Sequence, residues 1–373
     1  MAAIQGAYVK IVLLSFSVGA MGHYVAGMAN PLAECGHDVV VFVDDETPVS
    51  CFHKDVVVKR CEIPQFFSFS SLVKLIYMPV IIFQIKSFVK KWNPDIIHFN
   101  SSHWYFRFLT CLIRYAPTIV TIHDVYAHPG TSEKIEEFKK KPMITKCSAI
   151  VVHSEILKQQ ALKKWDISDS RIKVVPFNIV GLNNWLDYLD SSEMSCYDFK
   201  KLLFFGRIRE YKGLDILLKS FEGIKKEIPD AQLIIAGQGE FKMPENKDNI
   251  VLINEFLSDQ NAAKIIAESA VLVAPYIEAT ISTLPTIAGI FAKPIIGSDI
   301  YGIKEFVDNG KTGLLVEPND VKALTSACVE LLNSPEKCRE MGELAREANK
   351  KMSAPSTIAD NLITLYKSCV QSV

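Results

Sequence analysis

The sequence predicts an α/β protein built from two parallel-sheet domains in tandem, and three observations carry that reading. The chain has 373 residues, about twice an ordinary single-domain length. Both halves alternate short all-apolar runs with stretches of helical periodicity, the pattern of βαβ units and a parallel sheet. Between the halves lies Val174–Lys200, which holds a proline, several Asn and Asp residues and no sustained periodicity, and therefore reads as a linker.

The elements follow in order. In the first half the expected strands are Val9–Ser15, Asp38–Val43, Ile96–Phe99, Thr118–His123 and Ala149–His153, with a helix over about Gly22–Cys35. In the second half they are Leu202–Phe205, Gln232–Ala236, Ile250–Ile253, Val271–Pro275, Pro294–Ile296 and Leu314–Val316. Asp215–Ile228 places Ile216, Leu217, Phe221 and Ile224 at helical spacing. These sets make two Rossmann-like domains, 1–175 and 201–352, joined by a linker over 176–200.

Composition excludes some function classes. Charged residues are 22% of the chain and the formal net charge is −1, unlike the strongly basic balance of a dedicated nucleic-acid binder, so no nucleic-acid partner is expected. The nine cysteines are scattered, odd in number and without CxxC or Cys/His metal spacing. Reduced thiols in a cytoplasmic setting, without structural disulfides, are expected. The apolar run Ile11–Leu14 is too short for a membrane span and poor as a signal peptide. Residues 66–92 are rich in aromatic and aliphatic side chains. Val80–Val89 reads as a helix covering the sheet, and residues 66–78 are the part suited to lie on the surface of a bilayer. The mean hydropathy, +0.16, fits a protein that handles lipid-linked material, and a cytoplasmic location with peripheral contact on the cytoplasmic membrane face is expected.

The most informative segment is 202–242. Leu202–Phe205 is an apolar strand, Gly206 opens a turn, and the helix begins near Asp215, so Arg207 and Lys212 sit in a strand-to-helix loop. Ligands of open α/β sheets bind outside the carboxyl ends of the strands. Arg offers a planar fork to phosphate oxygens and Lys a mobile point charge, so the pair suits a diphosphate. A second segment repeats the logic: the strand Val271–Pro275, a polar loop with Glu278, then a helix start rich in small residues.

Gly206-Arg207 with Lys212-Gly213, followed by Glu278 and by GKTGLLVEPND at residues 310–320, resembles the retaining nucleotide-sugar glycosyltransferases of the GT-B fold, family 4 (glycosyl transferases group 1). The resemblance runs over nearly the whole chain and is strongest from Lys201 to Asp320. It implies two Rossmann-like domains facing a central crevice, an acceptor-binding one first and a nucleotide-sugar-binding one second. It also implies a last helix, within 353–373, that crosses back to the first domain. Ser356–Cys369, with Ile358, Leu362, Leu365 and Tyr366 on one face, suits that role. The implied reaction moves a sugar from a UDP- or GDP-sugar to a glycan or lipid-linked acceptor in cell-surface polysaccharide or glycolipid synthesis, with no metal and no cofactor.

Carried over residue by residue, the resemblance assigns catalysis to His123, Arg207, Lys212 and Glu278. All eight histidines lie at or before His153, and His123 ends an apolar strand, the position of the family's histidine that contacts the donor sugar or the reacting centre. Donor binding is expected from Gly19 and Ala20 in the first strand-to-helix turn, where Gly22 also allows close approach, and from Gly206, Gly237, Thr280, Ile281, Ser282, Thr283 and Thr286. His98, His103, Asp124 and His128 are candidates on the acceptor side, with structural roles open for each. Glu278 fits the first of the family's two glutamates, which contacts the sugar hydroxyls.

The chain departs from the pattern at three places. Relatives have Gly-Gly where Gly19-Ala20 stands; the second glutamate falls on Thr286, which cannot accept two ribose hydroxyls as a carboxylate does; and Ile281 replaces a frequent glycine. Either Thr286, Ser282 and Thr283 still hold the nucleotide, or the protein has lost donor binding and serves as a scaffold for an active transferase. A GT-B epimerase or phosphorylase also stays open. An NAD-dependent oxidoreductase is disfavoured, because no GxGxxG follows the first strand in register with an acidic residue. For transfer, Arg207, Lys212 and the amides near Ser282 would stabilise the leaving diphosphate.

Overall fold

The computed structural model describes residues 8–370 except 17–19, 46, 62–68, 101–108, 128–131, 176–184, 191–197, 243–247, 280–281 and 353. The chain forms two compact units, Met1–Gly181 with Ser353–Val373, and Leu182–Met352.

In the first unit the strands are β1 (Lys10–Ser15), β2 (Asp38–Asp44), β3 (Val57–Cys61), β4 (Ile96–Phe99), β5 (Thr118–Thr121), β6 (Ala149–Val152) and β7 (Ile172–Val174). They form one parallel sheet in the order β3-β2-β1-β4-β5-β6-β7. Helices α1 (Ala20–Glu34), α2 (Phe69–Trp92), α3 (Glu133–Lys146) and α4 (Glu155–Lys164) connect them. The strand order reverses between β1 and β4, so the carboxyl ends of these two flank a topological switch point.

Two strands escape the pattern of the sequence. β3 lies at the sheet edge and is half-exposed along its length, its short run of valines giving way at once to Lys59-Arg60, and β7 has only three residues. Strands β5 and β6 end earlier than their apolar runs suggest, which leaves His123 and His153 just past the strands, in the loops at the carboxyl edge.

Helix α2 is continuous through Pro79. Met78, Ile81, Ile85 and Val89 recur at helical spacing and pack into the core with Val12, Phe99 and Val120, which is what the sequence predicts for 80–89. Of the stretch 66–78, only the side chain of Met78 is described, and it is buried in that core rather than turned outward; the rest lies outside the described side chains. Among the described residues no helix is long and apolar enough to cross a membrane.

Helix α11 (Pro355–Val370) packs on α1 within the first unit, with Ile358, Leu362, Leu365 and Tyr366 buried. The Tyr366 hydroxyl is hydrogen-bonded to His98 Nδ1 at 2.8 Å, and His98 Nε2 to Thr121 Oγ1 at 2.8 Å. His98 is fully buried, and burial pushes its pKa down to about 3, so it stays neutral. Both ring nitrogens serve this docking network. The sequence expectation of His98 on the acceptor side is corrected: it holds helix to sheet.

The second unit contains β8 (Asp198–Phe205), β9 (Gln232–Ala236), β10 (Ile250–Ile253), β11 (Ser269–Ala274), β12 (Ile295–Ser298) and β13 (Gly313–Val316). The sheet is parallel, in the order β10-β9-β8-β11-β12-β13. Its helices are α5 (Leu214–Glu227), α6 (Asp259–Glu268), α7 (Leu284–Ile290), α8 (Tyr301–Lys304), α9 (Val321–Leu332) and α10 (Pro335–Met352). Ile216, Leu217, Phe221 and Ile224 form the buried face of α5, and its reversal point lies between β8 and β11. The linker expected over 176–200 is shorter in fact. Trp185 and Leu189 are buried in this unit and β8 already begins at Asp198, because Trp185 packs edge-on against Phe205.

Two buried polar groups set stability tests. Replacing Tyr366 by Phe leaves His98 Nδ1 buried without its partner and should destabilise the protein by about 1–3 kcal/mol, measured by urea unfolding. Asn100 is the opposite case: it is fully buried just past β4, and neither atom of its side-chain amide has a hydrogen-bond partner among the described residues. Removing such an orphaned group removes a desolvation cost, so Asn100→Leu should raise stability by about 1 kcal/mol in the same assay.

Candidate functional site

In the second unit the local chemistry is set by glycine. Gly206 ends β8 with φ +109°, Gly213 precedes α5 with φ +64°, and Gly237 ends β9 with φ +146°, conformations that side chains rarely adopt. A Cβ on Gly213 would stand 2.0 Å from the Pro275 carbonyl oxygen, and one on Gly237 would stand 2.1 Å from that of Gly206. The loops after β8, β9 and β11 therefore pack backbone against backbone. Ile277 N–H donates to the Tyr211 carbonyl at 2.8 Å, which ties the loop carrying the cations to the loop carrying Glu278.

This packing brings three of the predicted residues to one sheet edge, across the switch point. Lys212 Nζ donates to the Tyr276 hydroxyl at 3.1 Å and lies 4.9 Å from that ring's centroid. Its partner is thus a phenol, and no described carboxylate pairs with the ammonium. Arg207 is exposed and makes no hydrogen bond or ion pair with a described residue. Glu278 is exposed one turn of chain beyond Tyr276. Two cations that no described carboxylate pairs with, in a loop tied to the one carrying Glu278, are poised for an anionic ligand that also carries hydroxyls.

The other donor-side expectations divide. Gly19, Thr280 and Ile281 lie outside the described residues; Ala20 is the first residue of α1, its side chain undescribed. Gly22 is glycine for packing, not for ligand approach, since a Cβ there would stand 2.9 Å from Thr47 Cγ2. Ser282 is buried, and its hydroxyl accepts from Leu284 N–H at 3.2 Å, which closes the turn into α7. Thr283 caps that helix by position, without a side-chain bond. Thr286 is a correction. It is buried on the side of α7 that faces α10, with Ala345 and Asn349 lining the same small cavity, and its hydroxyl has no partner among the described residues. Gly289, one turn later, meets the same two residues. Thr286 is thus turned into the unit and away from the ligand edge.

In the first unit the polar groups gather at the carboxyl ends of β4, β5 and β6. His123 is half-buried, and its Nε2 lies 2.8 Å from the Asn100 carbonyl oxygen. Its Nδ1 lies 3.2 Å from His153 Nε2, and His153 Nδ1 lies 2.9 Å from the Val175 carbonyl oxygen. Tyr24 of α1 stands edge-on to both rings, with centroids 5.0 and 5.4 Å away. Burial pushes His123 below its ordinary value and His153 down to about 3. His123 therefore reaches the predicted edge, but with both ring nitrogens engaged. Asp124 is half-exposed, and its carbonyl accepts from Lys140 Nζ at 2.7 Å. His103 and His128 lie outside the described residues. Among the described residues no group of three His, Cys, Asp or Glu side chains converges as a metal site.

Sequence reasoning missed Tyr211, Tyr276, Asn100 and His153. The last had a readable signal, since it follows the apolar run Ala149–Val152 just as His123 follows its own.

Known proteins agree with this architecture. Residues 21–177 match the model of Glycosyltransferase Family 4, and residues 199–334 that of Glycosyl transferases group 1. Spore coat protein SA of Bacillus subtilis (strain 168) is 24% identical over 306 residues, covering 75% of this chain and 80% of that protein. O-antigen chain mannosyltransferase C of Escherichia coli is 25% identical over 272 residues, 69% of this chain and 70% of that one. The crystal structure of Anabaena HepE in complex with UDP and glucose superimposes with a TM-score of 0.73 at 15% identity, over 97% of this chain and all (100%) of that one. The paired family matches take in most of the chain, in the order and on the two sheets that the fold requires, and the chain belongs to the group 1, family 4 glycosyltransferases of the GT-B fold.

Proposed function

We propose that this glycosyltransferase is a retaining hexosyltransferase that uses a UDP- or GDP-sugar and a glycan or lipid-linked acceptor in cell-surface polysaccharide or glycolipid synthesis. One observation carries the reading. Arg207 and Lys212, which no described carboxylate pairs with, stand with Glu278 at the switch point of the second sheet. The relatives support it: HepE was crystallised with UDP and glucose, and an O-antigen chain mannosyltransferase is among the similar proteins.

In this mechanism the second unit holds the nucleotide-sugar. Glu278 accepts from sugar hydroxyls, and Arg207 and Lys212 stabilise the negative charge that grows on the leaving diphosphate. The acceptor hydroxyl oxygen bonds to the anomeric carbon as the bond to the diphosphate breaks. Attack comes from the face the diphosphate leaves, and a phosphate oxygen takes the hydroxyl proton, so configuration is retained without a protein nucleophile. Tyr276 steers the Lys212 ammonium without neutralising it. The first unit receives the acceptor, and His123 is its contribution to transfer. Because fixed cations supply the positive charge, neither a divalent metal nor a cofactor is required.

Thr286 favours a second reading. With no carboxylate at that position and its side chain turned inward, the ribose lacks one anchor, and a catalytically degenerate partner of an active transferase would show the same departure.

Calorimetric titration with UDP and GDP in EDTA separates the two. The transferase reading expects one nucleotide to bind, and Arg207→Ala or Lys212→Ala to weaken it about ten- to a hundredfold, the worth of one charge-assisted contact. Absence of binding by either nucleotide would leave the scaffold reading standing.

We further place a peripheral membrane contact on the outer face of α2, where Phe83 is 70% and Val80 50% exposed, with Lys90 and Lys91 exposed beyond them. Apolar side chains beside lysines suit an anionic bilayer surface. Flotation with phosphatidylglycerol vesicles should carry the protein upward, and Phe83→Asp should reduce the floated fraction severalfold.

A further inference from the structure

The two histidines at the carboxyl edge of the first sheet contain a conflict in proton counting. His123 Nε2 is 2.8 Å from the Asn100 carbonyl oxygen and His153 Nδ1 is 2.9 Å from the Val175 carbonyl oxygen. Carbonyl oxygens only accept, so each of these nitrogens must carry a hydrogen. The remaining nitrogens, His123 Nδ1 and His153 Nε2, face each other at 3.2 Å. If both rings are neutral, their two hydrogens are already committed to the carbonyls, and lone pair meets lone pair in the gap. A change of tautomer in either ring fills the gap but moves the clash to a carbonyl, at the shorter 2.8 or 2.9 Å. One additional proton between the rings satisfies all four nitrogens and gives the pair a charge of +1.

The surroundings divide over that charge. Burial is the largest influence and opposes it, and Lys140 adds to the opposition; the bonds to the Asn100 and Val175 carbonyls and the Asp124 carboxylate favour it. Tyr24 closes one side with the edge of its ring. Its phenol is bonded to Thr121 and is held protonated by burial, so it brings no charge. The pair is thus a buried site for a single proton, balanced between the cost of desolvation and the demand of four ring nitrogens.

We propose that His153 is a positioning residue for sugar transfer: it shares one proton with His123, and this bridge fixes the His123 ring as a cation at the carboxyl edge of the first sheet. The part in transfer rests on the reading of His123 given above. With Nε2 donating to Asn100 and Nδ1 in the bridge, His123 has no lone pair with which to act as a general base. What the ring offers is positive charge in a fixed orientation, which favours an anionic substrate such as a sugar nucleotide. His153 sets both the orientation and the charge without touching the substrate.

The bridge is tested on the full-length protein, with no ligand, by NMR of ¹⁵N-labelled histidine. As pH falls from about 8 toward about 3, the His123 and His153 signals should move together, and the two facing nitrogens should converge between the positions of an N–H and a lone-pair nitrogen. His153→Gln supplies an amide that donates to His123 Nδ1 and needs no shared proton, so His123 should remain neutral over the same range. Separate N–H and lone-pair signals in the wild type at every pH would overturn the bridge.

The positioning role is tested by the release of nucleotide from UDP-glucose and GDP-mannose. Wild-type kcat should fall about tenfold over the range in which the bridge empties, with KM little changed, and His153→Gln should flatten that profile. A wild-type profile in His153→Gln, with the bridge gone by NMR, would overturn the positioning role. If the wild type binds and turns over neither sugar nucleotide, the transferase reading fails by itself, and with it the role in transfer, while the NMR result decides the shared proton.

Discussion

The contact on which the second unit's site depends is the meeting of bare backbones after β8, β9 and β11. Gly213 lies against the Pro275 carbonyl and Gly237 against that of Gly206, distances that no side chain at these positions would permit. With the loops this close, the Lys212 ammonium comes within reach of the Tyr276 phenol, and Arg207 leaves the strand end with nothing to pair with. A cation pair at a sheet edge with no described counter-ion can stabilise the charge of an arriving diphosphate. The glycines thus create the site by removing atoms, and the charged side chains act on what that removal permits.

The first unit solves a different problem. Its carboxyl edge is crowded with groups that hydrogen-bond among themselves: His98 with Tyr366 and Thr121, His123 with Asn100 and His153. Where the second unit leaves charge unpaired, the first pairs most of its rings, while among the described residues Asn100 leaves an orphaned amide in the row and Ser15, at the end of β1, an orphaned hydroxyl. The two sheets share a topology, with strand order reversing beside the first strand of each, yet present opposite chemical surfaces at the same structural position. That division suits a protein in which one unit offers unpaired cations to an anion and the other holds its polar groups in place through a connected network.

Legibility in the sequence followed the range of the interactions. The strand, turn and helix around Arg207 and Lys212 are local, and a period-3.6 pattern beside a glycine was enough to place them. Glu278 was readable for the same reason. Thr286 was misplaced because the face that α7 turns inward is decided by Ala345 and Asn349 on α10, some sixty residues further along the chain. His98 was misread because one of its partners is Tyr366, 268 residues away. Edge strand β3 has no buried face to leave a pattern. Part of the glycine-rich first turn and of the loop after Glu278 lies outside the described residues, and there only the sequence speaks.

The hydrogen bond between His98 and Tyr366 also bears on how the protein comes to be. The entire second unit is encoded between these two residues. During synthesis, at roughly 5–20 residues per second, β4 leaves the ribosome on the order of tens of seconds before α11 exists. Until then the first unit has a buried histidine and the face of α1 without their cover, whereas the second unit is complete as soon as α10 emerges. The unit that is translated first is therefore the one that finishes last. For the whole time that its neighbour is being made, the nascent chain carries a sheet whose seven strands are all present but whose α1 face still lacks α11.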